Sequence, residues 1–254
     1  MSLKALIFDV DGTLADTEKY AHLPAFNLTF KDMNLDWHWD DNLYIKLLKI
    51  TGGKERLKYF IKSYKPKMPK VGNLDEFIAK IHNNKTNHYV EIIKNGKLPL
   101  RKGVKKLIFE AMDNNLKLAI ATTTTFVNVQ SLITTNLGND AMDYFDVIAA
   151  GDIVKNKKPA PDIYNYALNK LNLKADECIA FEDSENGMLS ATAAGLKSII
   201  TVNGYTKKQN FKNALIILDS LGDEECNFKV IKGNNYGYSY VNIEFIRKLY
   251  ESNY

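Results

Sequence analysis

Residues 3–14 read Leu3-Lys4-Ala5-Leu6-Ile7-Phe8-Asp9-Val10-Asp11-Gly12-Thr13-Leu14. The first part of this segment is a short apolar run that predicts a buried strand, and the second part places two carboxylates and a glycine where the strand ends. Four more apolar runs alternate with segments of helical period, at residues 116–121, 145–149, 178–181 and 198–202. This alternation is typical of parallel strands connected by helices. We therefore expect an α/β protein with a Rossmann-like parallel sheet at its core.

One long segment interrupts this alternation. Residues 16–95 contain no convincing strand, but apolar residues recur there at helical spacing, as in Leu57, Phe60, Ile61 and Tyr64. We predict an α-helical cap domain at residues 16–95, inserted into an α/β catalytic core formed by residues 1–15 and 96–225. Because the two ends of such an insert are close in space, both could act as hinges and the cap could move. Residues 226–254 are predicted to form a C-terminal extension, irregular before a short helix near residues 243–250.

Composition excludes several functional classes. The chain has 254 residues, of which 45% are hydrophobic and 25% charged, as expected for an ordinary globular protein. Lys and Arg outnumber Asp and Glu by 34 to 30, a surplus too small to indicate a nucleic-acid surface. The apolar run at residues 5–8 is too short for a signal peptide or a membrane span. We expect a cytoplasmic monomer that binds neither nucleic acid nor membranes.

Polar residues follow the predicted strands at the places where ligands of parallel sheets collect. Asp9 and Asp11 follow the first run, Thr122 the second, Lys158 the third, and Glu182 with Asp183 the fourth. Such a group of carboxylates needs a counter-charge, and Mg²⁺ prefers oxygen ligands of this kind. We predict a magnesium site that includes Asp9, Asp183 and a backbone carbonyl of the turn at residues 9–12. Lys158 and the Thr122 hydroxyl are suited to binding a phosphate group.

The two carboxylates of the opening turn can have different chemical duties. Asp9 can attack phosphorus to form an acyl phosphate, and Asp11 can give a proton to the leaving oxygen and later take one from water. Gly12 allows the backbone to turn close to the anion. The residues thus indicate a phosphate-transferring enzyme that takes a small phosphorylated substrate.

These motifs resemble those of the haloacid dehalogenase superfamily. The resemblance covers residues 1 to about 220 and rests on the opening turn, on Thr122, on Lys158 in Lys-Pro-Ala-Pro-Asp and on the Glu182-Asp183 pair. A helical insert directly after the first motif is similar to the cap of the β-phosphoglucomutase-like branch. The stretches at residues 37–40, 47–56 and 149–152 resemble the CbbY-type sugar-phosphate phosphatases.

The resemblance implies a function and roles for individual residues. It implies removal of one phosphate from xylulose 1,5-bisphosphate, with Asp9 as nucleophile, Asp11 as acid and base, and Thr122 and Lys158 as phosphate ligands. The implied magnesium ligands are Asp9, the Asp11 carbonyl, Asp183, and Glu182 through water. Glu18 matches a substrate-contacting position, and Thr123 is a further candidate for substrate binding. One departure is that the family usually has His-Arg before Ala-Phe-Asn, whereas here Leu23 and Pro24 follow His22.

The cap contains a candidate site for a second phosphate. Thr51-Gly52-Gly53 precedes a predicted helix, whose free backbone N–H groups could bind an anion. Gly53 is part of that loop, and Lys54 and Arg56 add positive charge. We hypothesise that this loop binds the distal phosphate of a sugar bisphosphate and closes the cap over Asp9. The four histidines lack the spacing of a zinc site and are expected at the surface or in packing.

Two other functions remain open at this stage. A phosphomutase such as β-phosphoglucomutase would use the same motifs but return the phosphate to a bound sugar. A non-catalytic phosphosugar-binding module would retain the fold without turnover. Dehalogenase chemistry does not need Asp11 or magnesium, and a P-loop lacks support because Thr51-Gly52-Gly53-Lys54 does not have the required glycine spacing.

Overall fold

The core of the protein is a single mixed sheet. The computed structural model describes residues 2–96 and 98–253. Within these ranges seven strands lie in the order β3-β2-β1-β4-β5-β6-β7. The strands are β1 (Ala5–Phe8), β2 (Lys117–Ala121), β3 (Val147–Ala149), β4 (Cys178–Glu182), β5 (Lys197–Thr201), β6 (Ile216–Leu218) and β7 (Val230–Lys232). Neighbouring strands from β3 to β6 pair in parallel, and β7 pairs antiparallel with β6. The expected Rossmann-like parallel core is confirmed.

Helices cover both faces of the sheet. They are α1 (Leu23–Asp32), α2 (Asp41–Leu47), α3 (Gly53–Tyr64), α4 (Leu74–Gly96), α5 (Val104–Asp113), α6 (Phe126–Leu137), α7 (Asp162–Leu171), α8 (Glu185–Ala193) and α9 (Ile243–Glu251). Successive side chains of β1 enter different apolar clusters, Leu6 and Phe8 on one face and Ala5 and Ile7 on the other. Because both faces of a central parallel strand are covered, the strand is an unbroken apolar run rather than an alternating one. β1 therefore sits at the centre of the core.

The cap consists of α1–α4, between β1 and β2. Many of its apolar side chains form a separate cluster around Trp39, which is completely buried. Ala25, Tyr89 and Ile93 instead belong to the main core cluster and join the cap to the core. Phe26, Phe30 and Phe60 lie with their ring centroids 4.5–5.3 Å from that of Trp39. Trp37 donates its indole N–H to the carbonyl of Lys67 at 2.9 Å, which satisfies the polar atom of a buried ring. Both tryptophans thus serve as packing anchors of the cap.

A π-helical turn, Glu18–His22, leads from the core into α1. Pro24 follows it in the first turn of α1, and because proline has no backbone N–H it cannot extend the hydrogen bonding of the π-helical turn into α1. Single π-helical turns are rare and occur frequently at functional sites. Here the turn contains Glu18 and His22, both of which point towards the cleft between cap and core.

The C-terminal residues are integrated into the core. The predicted helix is present as α9, and its Phe245, Ile246 and Leu249 belong to the main core cluster. β6 and β7 were not expected from the sequence. Both are only three residues long. β6 lies in a short apolar run at residues 214–218, whereas all three residues of β7 are exposed and give no apolar pattern.

None of the helices in the described ranges combines the length and the apolar character needed to cross a membrane.

Candidate active site

Three neighbouring strands bring the site together. Asp9 directly follows β1, Thr122 follows β2, and Glu182 is the last residue of β4 with Asp183 after it. β1 lies between β2 and β4, so their carboxyl ends are adjacent at one edge of the sheet. All four side chains are buried, with at most 7% of the residue surface exposed. The sheet order therefore explains why residues far apart in sequence meet.

Lys158 is the buried cation of this cluster. Its ammonium group donates to Asp9 Oδ1 at 2.7 Å, to Glu182 Oε1 at 2.5 Å and to the carbonyl of Ala121 at 2.9 Å. Burial alone would lower the pKa of Lys158, but the charges of Asp9 and Glu182 outweigh it and raise the pKa above its usual value. Tyr164 donates to the same Glu182 oxygen at 2.7 Å. Lys158 therefore stays protonated in a fixed position beside Asp9.

The carboxylates of Asp9, Glu182 and Asp183 each place one oxygen within 4.8 Å of the others. Burial raises the pKa of Asp9 to about 7, with Lys158 opposing and Glu182 and Asp11 reinforcing the shift. The pKa of Asp183 is also raised, by burial and by the charges of Asp9 and Glu182. Burial is the main cause of both shifts, so the ionised carboxylates would be stabilised by positive charge beyond that of Lys158. A divalent cation would supply that charge.

The donor set suits magnesium. All candidate side-chain ligands are carboxylates, which a hard cation such as Mg²⁺ prefers. Glu182 Oε2 is buried and has no protein hydrogen-bond partner, so it is available to a metal-bound water. Gly187 makes room for this group, because a Cβ at that position would lie 1.9 Å from Glu182 Oε2. The residues present therefore fit a magnesium ion.

Gly12 is required by the geometry of the opening turn. Its φ is +87°, a value that favours glycine, and a Cβ there would lie 2.3 Å from Asp183 Oδ2. The turn can thus pack directly against the carboxylate of the neighbouring loop. Asn203, which the sequence analysis did not identify, donates to the same Asp183 oxygen at 2.6 Å.

Asp11 faces the cap rather than the carboxylate cluster. Its Oδ1 accepts from the Thr17 hydroxyl at 2.6 Å and lies 2.9 Å from Nε2 of His22. Burial would raise the pKa of Asp11, but His22, Thr17 and Lys85 outweigh it and lower the pKa below its usual range. Of the predicted metal ligands, Asp11 is thus the one whose side chain points elsewhere, which leaves its carbonyl as the group that could bind metal.

His22 connects Asp11 to a buried lysine of the cap. Lys85 Nζ contacts His22 Nδ1, and the His22 ring stacks on Tyr89 with centroids 4.4 Å apart. Burial lowers the pKa of Lys85 to about 8, against the raising influence of Asp11 and Glu18. His22 is thus a buried packing residue with a second role, since it contacts the candidate acid and base. Its position shortly after the first motif was the only available sequence signal.

Glu18 and Arg56 are held together by Tyr44. The Tyr44 hydroxyl donates to Glu18 Oε2 at 2.5 Å and accepts from Arg56 Nη1 at 2.8 Å, while Arg56 Nη2 lies 3.4 Å from Glu18 Oε1. Arg56 is only 7% exposed. Its guanidinium is therefore part of a buried network, not a free charge on the cap loop.

Lys54 extends from the cap to the core. Its ammonium group is 2.8 Å from Asp152 Oδ2, and Lys157 is 2.8 Å from the other oxygen of the same carboxylate. Gly53 lies beside His82, and a Cβ there would be 2.7 Å from His82 Nε2. Burial, together with Lys85 and Lys54, lowers the pKa of His82 to about 3, so this histidine is neutral.

Two cavities lie between cap and core, and they share a boundary. The larger, of about 450 Å³, is lined by Asp9, Thr122, Lys158 and Asp183 on the core side. The smaller, of about 50 Å³, is lined by Gly53, Lys54 and Lys157, among others. Asp11, Glu18, Gly52, Arg56 and Thr123 line both. The candidate nucleophile Asp9 and the candidate acid and base Asp11 therefore line a cavity that the cap loop also lines.

Comparison with known proteins identifies the family. A model of the haloacid dehalogenase-like hydrolases matches residues 6–201. The chain belongs to this family. The protein CbbY (plasmid) of Cupriavidus necator is 47% identical over 221 residues, which cover 87% of each chain. CbbY of Rhodobacter capsulatus is 50% identical, over 84% of this chain and 92% of the relative.

A solved structure agrees with this assignment. CbbY from Rhodobacter sphaeroides, in a mutant form in complex with xylulose-(1,5)bisphosphate, superposes with a TM-score of 0.81 at 43% identity. The match covers 86% of this chain and 94% of that one. The predicted resemblance to the CbbY-type group is confirmed. The chain is an enzyme, a phosphoric monoester hydrolase.

Proposed function

We propose that this protein is a magnesium-dependent phosphatase that removes one phosphate from a sugar bisphosphate similar to xylulose 1,5-bisphosphate. The observation that carries the proposal is the opposite orientation of two neighbouring carboxylates. Asp9 lies beside Lys158 in the core, whereas Asp11 faces Thr17 and His22 at the cap. The opposite orientation allows Asp9 to act as nucleophile and Asp11 to act as acid and base, although only one residue lies between them.

The reaction then follows from the positions of these groups. Lys158 and Thr122 hold the phosphoryl oxygens, and a carboxylate oxygen of Asp9 forms a bond to phosphorus as the bond to the sugar oxygen breaks. The departing oxygen takes a proton from Asp11, whose Oδ1 lies 2.9 Å from His22 Nε2. Water then attacks the aspartyl phosphate and returns a proton to Asp11. Free phosphate is released and Asp9 is regenerated.

A magnesium ion would be held by Asp9, Asp183 and the Asp11 carbonyl, with Glu182 acting through water. When bound, it supplies positive charge that reduces the repulsion between the Asp9 carboxylate and the phosphate. The raised pKa of Asp9, about 7, supports this assignment because such a group needs added positive charge to be fully ionised at neutral pH.

The smaller cavity is the proposed site of the distal phosphate. Lys54 comes to it from the cap and Lys157 from the core, and both ammonium groups are within 2.8 Å of one exposed carboxylate, Asp152. Two lysines that meet at one anionic group can also meet at a phosphate. Binding there would link cap to core and help close the cleft over Asp9.

Phosphate release from a panel of sugar mono- and bisphosphates, with Mg²⁺ and with a chelator, tests the activity. We expect turnover of a bisphosphate that requires the metal and is lost in Asp9→Asn. The matched control is Asp36→Asn, an exposed position of the cap. Turnover that survives the chelator would refute the metal requirement. Rapid isomerisation without phosphate release would instead identify a mutase, and ligand binding without turnover would identify a binding module.

Lys54→Met tests the distal site. Loss of a charge-assisted hydrogen bond should raise KM for a bisphosphate by about tenfold or more. KM for the corresponding monophosphate should stay unchanged. Lys58→Met is the matched control, because Lys58 lies on the same helix but pairs with Asp75 on the outer surface. An equal change for both substrates would rule out contact between Lys54 and the second phosphate.

A further inference from the structure

Arg101 lies in the segment that returns from the cap to the core, between α4 and α5. Only 9% of its side chain is exposed, and its backbone N–H donates to the carbonyl of Leu14 at 2.7 Å. This backbone contact joins the return segment to the opening turn of the active site. Arg101 is not among the residues that the family motifs or the sequence analysis identified.

The guanidinium group binds the carbonyl edge of three strands. One nitrogen, Nη1, donates to the carbonyls of Gly12 and Thr201, the latter at 2.9 Å. The other, Nη2, donates to the carbonyls of Val202 at 2.6 Å and Asp219 at 2.9 Å. Four carbonyl oxygens from the β1, β5 and β6 ends therefore converge on one buried cation.

Two of these carbonyls are linked to Asp183. One belongs to Gly12, which packs against the Asp183 carboxylate, and the other belongs to Val202, which precedes the Asp183 partner Asn203. Gly12 packs against the carboxylate so closely that a Cβ would lie 2.3 Å from Oδ2. Val202 precedes Asn203, whose amide donates to the same oxygen at 2.6 Å. By holding both the Gly12 carbonyl and the Val202 carbonyl, Arg101 holds the two groups that contact Asp183 Oδ2.

We propose that Arg101 is a positioning residue for the magnesium site. Its guanidinium fixes the Gly12 turn and Asn203 against Asp183, and thereby sets where this carboxylate can meet a metal ion. This inference rests on the proposed function in taking the Asp9, Glu182 and Asp183 cluster as the magnesium site. The same residue lies in the segment through which the chain returns from the cap to the core.

The chemistry explains why arginine is required. A planar guanidinium presents donors in fixed directions and can serve several carbonyl oxygens at once. A lysine has a single ammonium group and cannot reach the Gly12 and Asp219 sides together. Arg101 also forms an ion pair with Asp16 at 3.6 Å, but the Asp16 side chain is 43% exposed. Exposed pairs contribute little to stability, so the four carbonyl contacts dominate.

The test is magnesium binding to Arg101→Lys, measured by titration calorimetry without substrate. Loss of groups that orient metal ligands typically weakens metal affinity by about 10- to 100-fold. We expect a weakening in this range, and we expect kcat to recover towards the wild-type value when Mg²⁺ is raised. A purely structural role would lower the thermal midpoint without changing the magnesium Kd of the folded fraction. Unchanged affinity would therefore overturn the proposal.

Two further variants make the test decisive. Asn203→Ala removes the amide that contacts Asp183 and leaves Arg101 in place. It should also weaken magnesium binding, and the double variant should be no weaker than the worse single one, because both act through Asp183. If Arg101→Lys does not fold, normal magnesium affinity in Asn203→Ala overturns the proposed route.

Lys102→Gln is the matched control. Its side chain is 42% exposed and pairs with Asp223 at the surface, so the magnesium Kd should stay at the wild-type value. The outcome also separates this inference from the proposed function. If the wild-type protein binds no magnesium, the metal-dependent function fails, whereas wild-type binding with unchanged affinity in Arg101→Lys overturns the role of Arg101 alone.

Discussion

The raised pKa of Asp9 predicts how metal-free protein responds to pH. Burial raises this pKa from 3.8 to about 7, with Glu182 and Asp11 adding to the effect and Lys158 opposing it. Between these two values the folded protein keeps a proton on Asp9 that the unfolded chain releases. The free energy of unfolding therefore decreases as pH rises through this window. From pH 5 to pH 8 the decrease from this group is about 3 kcal/mol.

The assay is thermal unfolding in chelator, for wild type and for Asp9→Asn, across that pH range. For a chain of this size, about 3 kcal/mol corresponds to a fall of about 6–12 °C in Tm relative to the variant. The comparison with the variant cancels contributions from all groups that titrate in both proteins. Added Mg²⁺ should restore the wild-type Tm most strongly at high pH, since the metal binds the ionised carboxylate. A difference in Tm that stays constant from pH 5 to pH 8 would refute the reasoning.

Three other changes follow from particular contacts. Gly187→Ala should destabilise the protein by about 1–3 kcal/mol and lower kcat, because its Cβ would lie 1.9 Å from Glu182 Oε2; normal denaturant unfolding would contradict this. Phe245→Ala should cost about 3–5 kcal/mol in the same measurement, since this side chain is completely buried in the main core cluster, and a cost below 1 kcal/mol would show that α9 is dispensable. His22→Ala should raise the pKa of Asp11, read from the pH dependence of kcat/KM, and an unchanged profile would separate His22 from the proton transfer.

The contacts across the cleft describe a closed cap. Lys54 reaches Asp152 of the core, and the core residue Asn186 donates to the Thr51 hydroxyl of the cap at 3.0 Å. On another side, the Tyr205 hydroxyl donates to Asp41 at 2.5 Å. Each of these contacts is exposed or partly exposed, so each contributes little on its own. The cap is also joined to the core by apolar packing, because Ala21, Ala25, Tyr89 and Ile93 belong to the main core cluster.

Much of the fold follows from local patterns in the chain. The apolar run of β1 predicts a buried central strand, and the absence of strand patterns from residues 16–95 predicts a helical insert. Both predictions depend on side chains that are close together in the sequence, so the sequence alone is enough to make them. β7 is different, because its exposed residues form a strand only through pairing with β6. The sequence predicts α9 as a helix, but only the folded chain shows that its apolar face packs against the main core cluster.

The active-site motifs likewise show their residue types in the sequence, but not their partners. Asp9, Asp11, Thr122, Lys158 and the Glu182-Asp183 pair follow apolar runs, and in a parallel sheet that position alone indicates a shared edge. The order of the strands, with β1 between β2 and β4, places these groups beside one another.

Only the tertiary structure determined which neighbours control these groups. His22 reaches Asp11 and Lys85 reaches His22 because the cap folds over the core. Arg101 reaches Gly12 and Asp219 because three strand ends converge on it. Sequence spacing carries no information on such contacts, since the residues are up to 118 positions apart. Burial and charge act through space, so the direction of each pKa shift and the position of each carboxylate depend on the folded chain.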